Sequence, residues 1–260
     1  MSVTIKKAMN LLRSQGVGGA ARKAMQHTLG TLCAKRKLAR KPTFADLDAL
    51  LDFSFNTCHR VIRPIQVRSE IRELLARVQA LRPRRVMEIG TANGGTLFLF
   101  TRVAAPDAKL LSLDLPGGEF GGGYPLWKRP MYQAFALDGQ SIELLQDDSH
   151  EQRSLEAVKH SLGGEPIDFL LLDGDHTYDG IKRDFAMYGP LVRSGGLIAF
   201  HDIAPRQVDP LNKVRPFWNE LKAKWRCEEL LETADQQWAG IGLLHVDEPV
   251  AAERASSISE

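Results

Sequence analysis

Val86-Met-Glu-Ile-Gly-Thr-Ala-Asn-Gly-Gly-Thr96 is the stretch on which the reading of this chain turns. Its apolar start predicts a buried strand over 85–89, and Leu97 to Phe100 carry on as a helix over 94–104. Between them Gly90, Gly94 and Gly95 make a turn. Glycine lets the backbone there approach a ligand closely and take positive φ angles. A helix opening at such a turn aims unpaired N–H groups at whatever lies above it. The spacing is not G-x-G-x-x-G, and an acidic residue, Glu88, stands before the turn. A carboxylate in that place repels a pyrophosphate and attracts an ammonium group. The expected ligand is therefore a nucleoside with a cationic amino-acid tail, S-adenosylmethionine, rather than NAD. Glu88, Gly90, Thr91, Asn93 and Gly94 are its expected contacts. A plain strand-to-helix turn of some α/β fold is the competing reading.

Outward from this turn, strands and helices alternate. Further strands are expected over 109–114, 141–145, 167–172, 196–200 and 239–245, and helices over 152–161, 177–190 and 212–223. Two more helices, 44–56 and 66–82, precede the first strand. In the second of them Ile71, Leu74, Leu75, Val78 and Leu81 recur at helical steps between Pro64 and Pro83. Phe169-Leu-Leu-Leu172 and Leu197-Ile-Ala-Phe200 are continuously apolar, as parallel strands buried on both faces are. The alternation predicts a doubly wound, mostly parallel α/β sheet with right-handed crossovers. That domain is placed at 61–247, after a basic N-terminal helical extension over 1–60 and before a disordered tail over 248–260.

The 260 residues are 43% hydrophobic and 25% charged, the balance of a globular chain. No apolar window is long enough for a spanning helix, and no leader-like apolar core opens the sequence. Cys33, Cys58 and Cys227 are widely spaced and odd in number, which predicts neither a disulfide framework nor a zinc site. A cytoplasmic place is expected. The net charge of +2 hides an asymmetry, because residues 1–45 hold ten Lys and Arg and no Asp or Glu. The remainder has 24 basic against 32 acidic residues, which argues against a nucleic-acid groove. The arm can touch anionic lipid at the inner membrane surface or the acidic face of a partner subunit, or stay solvated.

In such a sheet ligands bind beyond the carboxyl ends of the strands, and five strands in succession end in polar residues. Asp114 can accept hydrogen bonds from ribose hydroxyls, or serve only as a turn residue before Pro116. Asp148 and Ser149 can read an adenine edge, or cap the next helix. Asp173 and Asp202, joined by Asp175 or His201, can ligate a hard divalent cation or merely cap helices. Mg²⁺ is favoured by the carboxylates, and a histidine ligand suits Mn²⁺ or Fe²⁺ better. His176 is the expected base, with Asp175 next in line. A neutral imidazole takes a hydroxyl proton at neutral pH, and a cation that stabilises the alkoxide helps it. His150 is read as structural, and His59, His160 and His245 are given no role. Leu115 to Trp127 holds five glycines with Phe120, Tyr124 and Trp127, the make-up of a lid over a flat or sugar-like substrate or of an anchored loop.

Glu-Ile-Gly-Thr-Ala-Asn-Gly-Gly-Thr, Asp-Gly-Asp-His-Thr-Tyr and Phe-His-Asp together resemble class I S-adenosylmethionine-dependent methyltransferases over about residues 60–245. Within that class the chain looks most like the cephalosporin hydroxylase-like and macrolide-sugar O-methyltransferase group. The resemblance implies a Rossmann-like methyltransferase fold, cofactor contact at Asp173, and a metal held by Asp173, His201 and Asp202. It also implies a base at His176 and a homo-oligomer built through the N-terminal helices. His201 departs from the pattern, since the group often has Glu or Asp there. The implied activity is O-methylation of a sugar or glycosylated small-molecule acceptor. A hydroxylase-type enzyme and a non-catalytic assembly protein of the same fold are the alternatives.

Overall fold

A computed structural model describes residue 25 and residues 28–116 and 123–250. The basic arm up to residue 24, most of the glycine-rich loop with Phe120, and the tail from 251 lie outside the described residues. Residues 28–38 form helix α1. It is followed by α2 (Leu47–Asn56), α3 (Arg68–Leu81), β1 (Arg85–Ile89), α4 (Gly95–Val103), β2 (Lys109–Asp114), α5 (Arg129–Gln133) and β3 (Ser141–Gln146). Then come α6 (Gln152–Leu162), β4 (Ile167–Leu172), α7 (Tyr178–Tyr188), β5 (Val192–His201), α8 (Val214–Lys222), β6 (Arg226–Leu230) and β7 (Ile241–Val246). The strands form a single seven-stranded sheet in the order β3-β2-β1-β4-β5-β7-β6. All pairs are parallel except β5–β7 and β7–β6. This is the mostly parallel α/β sheet that the alternation implied.

The order reverses between β1 and β4, and that switch point locates the ligand crevice. Both strands are central and buried, which their apolar runs required. One face of the sheet packs on α2, α3 and α4 through Leu51, Leu74, Phe98 and Phe100. The other packs on α6, α7 and α8 through Val158, Phe185, Phe217 and Trp218. Ala34, Leu38, Leu50 and Phe55, from the segment read as an N-terminal extension, join the first of these cores. Among the described residues no helix is long and apolar enough to cross a membrane.

Three elements depart from expectation. Strand β5 starts at Val192, because Val192 pairs with Ile167 and the ladder then bulges before Leu197 meets Phe169. Strand β6 is an antiparallel edge whose Arg-Cys-Glu-Glu-Leu shows no apolar alternation. The short helix α5 follows the glycine-rich loop and begins with a proline in its first turn.

The β1 turn is dictated by close approach. Gly90 N–H donates to the Leu113 carbonyl at 2.9 Å, and Asp173 N–H donates to the Ile89 carbonyl at 2.9 Å. A Cβ on Gly90 would lie 2.1 Å from the Asp173 carbonyl oxygen, at a φ of +93°. Gly90→Ala is therefore expected to lower stability by at least about 2 kcal/mol in a urea melt. Unchanged stability would mean that this strand end is free to shift.

Candidate active site

The carboxyl ends of β1, β2, β4 and β5 open into one cavity of about 800 Å³. Seven aspartates line it (114, 147, 148, 173, 175, 202 and 209), with His150, His176 and His201, and no Lys or Arg among the described residues. Its floor thus attracts cations and repels phosphates. The rim is apolar: Ile65, Val208, Leu211 and Trp238 line it while each is more than half exposed.

On the β1 side, Asp114 accepts from Ala92 N–H at 3.1 Å and from Gly123 N–H at 3.1 Å. Burial pushes its carboxyl up to about 6, and the hydrogen bonds from Gly123 and Ala92 oppose the shift. Ala92 sits at a φ of +44°, so this backbone is held in a conformation that most residues avoid. Glu88 does not line the cavity. Its side chain lies buried beneath the turn, where Thr96 Oγ1 donates to Oε2 at 2.8 Å and Oε1 has no hydrogen-bond partner. Burial pushes its carboxyl up to about 8 against the Thr96 hydrogen bond. Thr91 is bound to the Ser112 hydroxyl, and Thr91, Asn93 and Gly94 also lie off the cavity wall. Gly90, Asp114, Asp148, Ser149 and Asp173 are on it.

On the β4–β5 side four titratable groups converge. His201 Nδ1 lies 3.0 Å from Asp173 Oδ1 and 3.4 Å from Asp202 Oδ1. His176 Nδ1 lies 3.0 Å from Asp202 Oδ2, and its Nε2 lies 3.5 Å from Asp173 Oδ1. Asp202 takes a φ of +67° directly after β5, which turns the chain at the end of the strand. Burial lowers the affinity of both imidazoles for a proton, but the paired carboxylates outweigh it, raising His176 to about 10 and His201 to about 9. Burial likewise works against an ionised Asp173, yet His201 and His176 hold its carboxyl well below the usual range. The protons on the two imidazoles balance the two carboxylates.

Asp173, His201 and Asp202 each offer a ligand atom, all within 4.8 Å of one another. Two carboxylates and an imidazole suit a small divalent cation that keeps other oxygens in its shell. Asp175, expected beside the base, turns its carboxylate to the start of α7, where Oδ1 accepts from Thr177 N–H at 2.8 Å. Its carboxylate packs so closely on Gly180 that a Cβ there would lie 2.1 Å from Asp175 Cγ. Asp175 thus both lines the cavity and braces the start of α7. His150 is tied to the Gly180 carbonyl at 3.1 Å and to Asp184, which raises its pKa.

Two contributors were not evident in the sequence. Gln66 Nε2 donates to Asp173 Oδ2 at 2.7 Å, fixing the oxygen that the histidines leave open. Glu70 is buried on α3 and accepts from Gln236 Nε2 at 2.6 Å and Gly240 N–H at 2.9 Å. It thereby pins the β6–β7 loop that carries Trp238. Gln66 follows Pro64 and Glu70 sits inside an apolar helix face, the only local hints of either role.

Residues 87–203 match the family described as "Methyltransferase domain". That match spans a little under half of this chain. The fold agrees with that of the class I O-methyltransferases. An O-methyltransferase from Bacillus cereus, solved in complex with SAH, is similar with a TM-score of 0.53 at 17% identity, covering 78% of this chain and 92% of that one. TomG of Streptomyces achromogenes, an O-methyltransferase involved in tomaymycin synthesis and solved with SAM, gives 0.52 at 15% identity, covering 80% and 92%. Among curated relatives, an uncharacterised protein of Sinorhizobium fredii is 28% identical over 149 residues, 56% of this chain. An uncharacterised protein of Acanthamoeba polyphaga mimivirus is 29% identical over 133 residues, 49% of this chain. The alignments span only 16% and 58% of those two proteins.

Proposed function

We propose that the protein is an S-adenosylmethionine-dependent O-methyltransferase, cation-assisted, that acts on a hydroxyl of an uncharged sugar or glycosylated metabolite. The observation that carries this reading is the convergence of Asp173, His176, His201 and Asp202 beside the Gly90–Asp114 wall of one cavity. S-adenosylmethionine would supply the methyl group, and a divalent cation, Mg²⁺ or Mn²⁺, held by Asp173, His201 and Asp202 would offset negative charge on the acceptor oxygen. Gly90, Asp114, Asp148 and Ser149 line the cofactor side, and Glu88 supports the turn from below through Thr96. Asp173, His201 and Asp202 are the cation ligands. Asp202 accepts the Nδ1–H of His176, which fixes the tautomer and leaves Nε2 to take the acceptor proton.

The wall chemistry narrows the acceptor. Seven aspartates, with no Lys or Arg beside them among the described residues, disfavour phosphorylated and nucleotide-linked sugars. The rim residues Ile65, Val208, Leu211 and Trp238 fit the apolar body of a glycosylated metabolite. On α1 and just before it, Met25, Leu29 and Leu32 are exposed at helical spacing, a face we assign to a second copy of the chain. Methyl transfer from labelled S-adenosylmethionine, measured over paired neutral and phosphorylated glycosides, tests the assignment. Turnover of neutral glycosides is expected, at least about 10-fold above their phosphorylated partners. Preference for the phosphorylated partner would overturn it.

A further inference from the structure

Outside the lining of the cavity, Cys33 Sγ and Cys58 Sγ lie 3.0 Å apart, although the sequence predicts no disulfide. Cys33 is on α1, and Cys58 opens the turn that follows α2. The approach is built into the backbone. A Cβ on Gly30 would lie 2.5 Å from the Cys58 carbonyl oxygen, so only glycine lets α1 press against this turn. Cys33, three residues on, shares the helix face of Gly30. Cys58, His59 and Arg60 hold successive φ values of +54°, +53° and +63°, a left-handed run that carries the chain under the helix. A second cavity, lined by Asn56, Arg60 and both cysteines, opens this place to solvent.

We propose that Cys33 and Cys58 are a disulfide-forming pair that fastens α1 to the methyltransferase domain when a low-molecular-weight disulfide is present. Cys33, the more exposed thiol, attacks one sulfur of that disulfide and expels the first small thiol. Cys58 then attacks Cys33 of the mixed disulfide and expels the second. One protein S–S bond forms, the reagent S–S bond is reduced to two thiols, and these carry away the two protons. Burial and the neighbouring Cys33 push the Cys58 thiol up to about 12, so the first attack falls to Cys33, and Cys58 follows because its Sγ already lies beside Cys33 Sγ. Cys227, on β6 and likewise raised to about 12 by burial, stays reduced. The bond would fix the start of the segment that runs through Pro64 to Gln66, the residue bound to Asp173.

The test incubates the full chain with oxidised glutathione, then maps thiols by alkylation and peptide mass spectrometry. The expected product is a Cys33–Cys58 linked peptide with two hydrogens lost and Cys227 fully alkylated. The oxidised chain is expected to melt about 5 °C above the reduced one. Cys58→Ser is expected to stop at a glutathione adduct on Cys33, and Cys33→Ser to give neither product. A stable glutathione adduct in the unsubstituted chain, a linkage through Cys227, or no reaction at Cys33 would each overturn the proposal.

Discussion

Replacing His176 with alanine is expected to lower kcat by about 10²- to 10⁴-fold while S-adenosylmethionine affinity stays within a few-fold, the usual worth of a positioned base. His176 lies between Asp173 and Asp202 and lines the cavity. The two carboxylates raise its pKa to about 10 against the opposing effect of burial. A charged imidazole cannot accept a proton, so the wild-type rate should rise with pH until His176 is neutral. Divalent cation neutralises the same carboxylates, so it should move that rise toward neutral pH. His176→Ala should lose this limb of the profile. Near-normal turnover in the variant would place the base elsewhere.

Asp202→Ala is expected to remove the response of activity to Mg²⁺ or Mn²⁺ and to leave cofactor binding nearly intact. Asp202 faces both histidines, so its loss also changes how stability depends on pH. His176 and His201 have folded pKa values of about 10 and about 9, above the unfolded value of about 6.5. Their stabilisation is complete below about pH 6.5 and is lost as pH rises through about 9 and about 10. Metal-free wild-type protein should therefore melt at falling temperature from about pH 7 to about pH 10, and Asp202→Ala should show a shallower fall. Cation binding requires neutral His201, so cation affinity should strengthen over the same range. Full activity of chelator-treated protein, shown metal-free by elemental analysis, would make these carboxylates structural.

What the sequence disclosed and what it hid follow from where each signal sits. Strands β1, β2 and β4 are mostly apolar and are cut off by Gly or Asp, so their bounds could be read to the residue. Strand β6 is a half-exposed edge held by partners such as Trp218 and Lys222 on Glu229, and it shows no period. The cluster Asp173, His176, His201 and Asp202 was legible because parallel neighbours bring successive strand ends together. Gln66 and Glu70 were not, because their partners lie 107 and about 170 residues away and local pattern carries no trace of such pairings. Glu88 was placed at the right strand end but given the wrong surroundings. Ile89 and Gly90 line the cavity, whereas Glu88 points to Thr96 of α4, as side-chain alternation along a strand requires.

We assign the β1–β2 end of this cavity to a nucleoside with a cationic tail. Calorimetry of the full chain with S-adenosylmethionine, S-adenosylhomocysteine and NAD tests it most directly. One site with micromolar affinity for the first two is expected, on the order of −8 kcal/mol, and no measurable heat with NAD. Tight NAD binding without any for S-adenosylmethionine would contradict it.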